Sequence, residues 1–184
     1  MDLLGQLSWF DLFIILLLIV GVFVGFTQGM IRYVLNCVAV LVAFVLAAQL
    51  KGPVVDLLGF WRAFTAQGRE LLVFIILFVL FVVLGWFVIR GLYHRTRLPI
   101  WRQLDEIGGG IFGLLWVAML ITFHLLVYDS YYEAGGEPMG FVGAYTAAMN
   151  ASVLVQFFRD TLIPTAGFLA RPFVPSDVAA VLTP

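Results

Sequence analysis

The chain is poor in charge. Of its 184 residues only 11% are charged, against about 25% in an ordinary soluble domain. Ten basic and eleven acidic side chains cannot cover the surface that a soluble domain of this size leaves in water. A soluble globular fold is excluded on that ground. Disorder is excluded too, because disordered chains combine low hydrophobicity with high net charge. The net charge of −1 supplies no basic field, so nucleic acid is not an expected partner. Cysteine is nearly absent: Cys37 alone closes no intrachain disulfide and builds no thiolate metal site. Catalytic signatures are missing as well. There is no H-E-x-x-H, no G-x-S-x-G and no Walker A loop, and Gly108-Gly109-Gly110 has no lysine after it. His94 and His124 lie far apart with no acid at ligand spacing, so no metal is expected. These absences predict a non-enzymatic protein without a cofactor. Asn150-Ala151-Ser152 fits the glycosylation triplet, a frequent pattern that carries little weight.

What the chain has is hydrocarbon: 63% of its residues are apolar. Leu12–Ile31, Tyr33–Leu50, Leu71–Ile89 and Ile107–Tyr128 are uncharged runs of 18 to 22 residues. A helix that crosses a bilayer needs about 20 predominantly apolar residues. The expected fold is an all-α integral membrane protein with four transmembrane helices. A later uncharged run, Pro138–Phe158, opens with a proline and contains Thr146, Asn150, Ser152 and Gln156. It reads as an interfacial or packed amphipathic helix rather than a fifth span. The expected organisation is a four-span domain over 1–130, then an interfacial helix and a proline-punctuated tail over 131–184. No cleavable signal peptide is expected, because Met1–Phe10 contains no basic residue. Lys51-Gly52-Pro53 is expected to stop the second span, followed by an amphipathic stretch over Val54–Phe64 with Trp61 suited to the interface. Arginines are dense between Arg90 and Arg102, so that linker is assigned to the cytoplasm and both termini to the outside.

Three features stand out within the spans. Gly21, Gly25 and Gly29 recur every fourth residue and line one helix face, as do Gly109 and Gly113 at the start of the fourth span. Such stripes let backbones approach closely in lipid, either within one chain or between chains. Asp11 sits one turn inside the first apolar run and shares the face of Gly29. It is either an intramembrane functional acid or a helix cap at headgroup level. Arg32 stands almost alone between the first two spans, which are expected to form a helical hairpin. Asp105 is a candidate cap for span four, and parity puts it on the side of the membrane that holds Arg32 and Arg102. An Arg32–Asp105 ion pair is one expectation; separate contacts with headgroups are the other. His124, near the end of span four, reads as interfacial.

Together these residues resemble the colicin V production protein (CvpA) family. The resemblance rests on Trp9-Phe10-Asp11, Gln28-Gly29-Met30-Ile31-Arg32 and Asp105-x-x-x-Gly109-x-x-Phe112-Gly113. It covers roughly Trp9 to Phe158. The chain departs from the family pattern at Tyr33, where an acid often stands, and at Trp116 and Val117, where an arginine and a glycine are frequent. The resemblance implies a small bacterial inner-membrane protein with a part in colicin V production or export and in envelope homeostasis.

Two functional classes follow. One is a scaffold that acts by helix packing. The other is a small oligomeric channel or transporter subunit with Asp11, Asn36 and His124 along its path. Expected partners are membrane lipid and either further copies of the chain or other membrane proteins.

Overall fold

The computed structural model describes residues 8–58, 60, 66–92, 102–132 and 141–170. Trp61, His94, Arg95, Arg97, Pro99, Arg171, Pro172, Pro175 and Pro184 lie outside them. Every regular element among the described residues is helical: α1 (Trp9–Gln28), α2 (Met30–Leu57), α3 (Ala66–Leu92), α4 (Arg102–Tyr132), α5 (Phe141–Asn150), α6 (Val153–Phe157) and α7 (Ile163–Ala170). Four stretches are long and apolar enough to cross a membrane: Trp9–Gln28, Met30–Leu57, Arg69–Leu92 and Gln103–Asp129. The chain is thus a multi-pass membrane protein with short C-terminal helices.

Local chemistry sets the helix ends. Ser8 caps α1 in a capping box: its hydroxyl accepts the Asp11 amide at 3.2 Å, and the Asp11 carboxylate accepts the Ser8 amide at 2.8 Å. α1 ends at Gly29, whose φ of 90° is open to glycine and strained for other residues. α2 then begins at once. It does not stop at Lys51-Gly52-Pro53 but runs through Pro53 to Leu57. Proline costs a helix its bond to the residue four before. Here the freed carbonyl is that of Gln49, at the very end of the apolar run, so the loss falls in the last turns of the helix.

α4 is the central helix. α1 packs along one side of it and α2 along another, while α3 packs mainly on α2. The expected hairpin of the first two spans is therefore corrected. α1 and α2 share a tight turn but touch little, because the small face of α1 is used against α4. Between α2, α3 and α4 the core is aromatic. Phe44 stacks on Phe123 with centroids 4.3 Å apart and meets Phe74 edge-on at 5.6 Å. A second core joins Phe10 and Ile14 of α1 and Leu125 and Tyr128 of α4 to Met149, Val155 and Phe158.

The expected interfacial helix is two helices broken at Ala151–Ser152, with Ser152 capping α6 through the Val155 amide at 3.1 Å. A π-helical turn over Phe158–Leu162 follows and leads into α7. Pro164 has no amide for the Asp160 carbonyl, so the widened turn lies where regular bonding is already broken.

Candidate functional site

The glycine stripes close on each other within one chain. α1 and α4 run antiparallel, and their small residues interlock turn by turn. A Cβ placed on Gly21 would stand 2.8 Å from the Gly113 carbonyl oxygen. One placed on Gly25 would collide with the Gly109 carbonyl oxygen and stand 2.9 Å from the Gly113 Cα. One on Gly113 would strike the Gly21 carbonyl. At Gly25 and Gly113 the obstacle is backbone, which cannot swing away as a flexible side chain can, and at Gly21 the β-branched Val117 side chain stands nearer still than the Gly113 carbonyl. Glycine is required along this seam because the two helices touch main chain to main chain.

A buried carboxylate stands near each end of α1, Asp105 beside Gly29 and Asp11 in the first turn. At one end Asp105 is 3% exposed, and its Oδ1 accepts the Met30 amide at 2.9 Å. That amide is the first of α2 and has no partner inside its own helix. Asp105 therefore caps α2 from a neighbouring helix. The expectation that it caps its own span is corrected, since α4 begins earlier, at Arg102. The expected Arg32–Asp105 pair is also corrected: among the described residues no ion pair joins them, and an Arg32 Nη1 reaches Gln28 Oε1 at 3.5 Å. Gly29 is needed twice over. Besides its positive φ, a Cβ there would lie 3.1 Å from the Asp105 Cγ.

At the other end Asp11 is fully buried. Oδ2 accepts the Ser8 amide and hydroxyl, both at 2.8 Å. Oδ1 accepts the Ser152 hydroxyl at 2.5 Å and the Leu154 amide at 2.9 Å. One carboxylate thus caps its own helix and anchors the start of α6. The cap reading of Asp11 describes half of this arrangement. Ser152, itself fully buried, is the residue that sequence reasoning missed. Its signal was a serine directly ahead of the apolar Val153-Leu154-Val155, hidden inside a formal glycosylation triplet.

Three further contacts hold the C-terminal helices to this end of α4. Arg159 grips Asp129 in a fork, Nε to Oδ2 at 2.8 Å and Nη2 to Oδ1 at 2.6 Å, and also donates to Asn150 Oδ1 at 2.8 Å. His124 Nε2 meets the Tyr145 hydroxyl at 2.7 Å, and Tyr128 bonds Thr146 alongside. Burial, with the neighbouring Tyr128 phenol, pushes the Tyr145 hydroxyl above its ordinary pKa. Cys37 is buried, with its sulfur 3.5 Å from the Phe112 carbonyl oxygen. No group of three or more His, Cys, Asp or Glu side chains is placed to hold a metal ion among the described residues.

The residues expected to matter thus sort into one device. Gly21, Gly25, Gly29, Gly109 and Gly113 form the seam, Asp105 caps α2 beside its Gly29 end, and Asp11 ties the start of α1 to α6. Arg32 bonds Gln28 and lines a cavity with Asn36. No curated protein and no solved structure matches the chain. Residues 10–163 match the family model described as Colicin V production protein, so the match spans the seam, both carboxylates and the α6 anchor, and the chain belongs to that family.

Proposed function

We propose that this chain is a non-enzymatic protein of the bacterial inner membrane that supports colicin V production or export, and envelope homeostasis, as a helix-packing scaffold. One observation carries the reading: the α1–α4 seam at backbone contact, with the buried carboxylates Asp105 and Asp11 tying the two ends of α1 to α2 and α6. Such a seam spends its polar groups on structure and holds the two helices as one rigid unit. The outward faces of that unit are large and apolar, with Phe23 69% and Ile111 62% exposed. Faces of this kind suit lipid, further copies of the chain or other membrane proteins. Catalysis has no part in this reading.

The test is complementation of a bacterial strain lacking the gene. The wild-type chain restores colicin V in the medium and resistance to detergent. Gly25→Leu, which forces the seam apart, restores neither. Full complementation by that variant would remove the scaffold reading. Ion flux through liposomes that contain the purified protein would favour the oligomeric channel instead.

A further inference from the structure

Because α1 is drawn onto α4, a groove remains between α1 and α2. Its volume is about 720 Å³, within the range of small-molecule sites. α4 forms its floor through Trp116 and Leu120, and α1 forms a wall through Leu17, Val20 and Val24. The lining is overwhelmingly apolar. Phe13 and Val20 line it while 49% and 48% exposed, so it opens sideways toward the membrane. Gln28, Asn36 and Trp86 belong both to this groove and to a second cavity of about 420 Å³. That second cavity is polar, and it adds Arg32 and Arg90.

The two arginines have a defined depth. Arg32 lies at the start of α2 and Arg90 at the end of α3, so both stand at the same membrane face. The Arg90 guanidinium sits over the Trp86 ring, 5.0 Å from its centroid. That contact orients the charge without neutralising it. An apolar trench thus adjoins, at headgroup level, a cavity lined by two arginines and the carboxamides of Gln28 and Asn36. Along α1 the trench runs from Gln28 past Leu17, about 16 Å or roughly one leaflet at 1.5 Å per residue.

We propose that this groove binds one anionic phospholipid. Its phosphate lies between Arg32 and Arg90, and one acyl chain lies along α1 against Trp116 and Leu120. Forked guanidinium donors suit a phosphate, and the two charges select an anionic headgroup over a zwitterionic one.

The test uses the full chain in non-ionic detergent. It is titrated with phosphatidylglycerol or with phosphatidylcholine of the same acyl chains, and bound lipid is counted by native mass spectrometry. An arginine near the membrane surface contributes about fivefold in preference for an anionic lipid. The wild type is expected to prefer phosphatidylglycerol by about 25-fold, Arg90→Gln by about fivefold, and Arg32→Gln with Arg90→Gln to show no preference. Val20→Trp, which fills the groove, weakens both lipids and leaves their ratio unchanged. Arg90 is exposed, so Arg90→Gln alone decides the point if the double variant does not accumulate. Equal binding of the two lipids by the wild type would overturn the proposal. So would a preference that survives the arginine substitutions. A dimer that Val20→Trp dissolves would assign the groove to a second copy of the chain instead.

Discussion

The Asp11–Ser152 bond is the most exposed point of the structural reading, because it joins residues 141 positions apart. Removing the Asp11 carboxylate strips the Ser152 hydroxyl and the Leu154 amide of their acceptor, and it opens the capping box with Ser8. A hydrogen bond to a charged group is worth about 1.5–3 kcal/mol in soluble proteins. Polar contacts between membrane helices average about 0.6 kcal/mol and reach about 1.7. The two ranges meet near 1.5 kcal/mol, the coupling expected for this pair. Two such bonds and a cap of about 1 kcal/mol put Asp11→Ala at about 4 kcal/mol. Ser152→Ala loses the same bond and its own cap on Val155, about 2.5 kcal/mol. The double variant should cost about 5 kcal/mol, less than the two separate effects combined, because the shared bond is lost only once. Reversible unfolding in mixed micelles, followed by circular dichroism, measures all four corners of the cycle. Coupling below about 0.5 kcal/mol would mean that Asp11 and Ser152 act independently, and the anchor of α6 would have to be sought elsewhere.

The glycines separate by what surrounds them. Gly25→Ala should destabilise by about 1–3 kcal/mol, because its Cβ meets Gly109 backbone. Gly110→Ala should be neutral or stabilise by up to about 1 kcal/mol, since its nearest neighbour is the Val22 Cγ1 at 3.6 Å; the same micelle unfolding assay reads both. Topology is read by labelling single cysteines at Thr96 and Ser130 in a Cys37→Ser background. Thr96 should react from the cytoplasm and Ser130 from outside; both on one side would contradict four spans. For Tyr145 the raised pKa fixes the sign of the pH dependence. The folded state holds the phenol proton more tightly, so this contribution is intact below the ordinary value of about 10 and is lost as pH rises through the folded value. Melting across that window should show a falling slope that Tyr145→Phe flattens.

Much of the site was legible as residues and little of it as contacts. The four-residue spacing of Gly21, Gly25 and Gly29 marks a small face, and the second stripe at Gly109 and Gly113 marks its match. Asp11 and Asp105 stand out because carboxylates near hydrocarbon are expensive. Their partners do not stand out. Asp105 takes a backbone amide, and every residue except proline carries one. Ser152 is an ordinary serine until the chain returns to α1. The Arg32–Asp105 expectation failed for that reason: parity places two charges on one face but says nothing about which nearby donor arrives first.

By itself the sequence determined that the chain lives in a membrane and crosses it in four places. Both follow from local quantities, the scarcity of charge and the length of apolar runs, which the bilayer tests segment by segment. Only the tertiary structure decided that α1 packs on α4 and stands away from α2, that a carboxylate of one helix caps another, and that a groove adjoins a cavity lined by Arg32 and Arg90. Lipid solvates every apolar face about equally well, so hydrophobicity cannot choose a helix's neighbour. That choice falls to backbone shape and to a few polar bonds, and both exist only once helices distant in sequence have met.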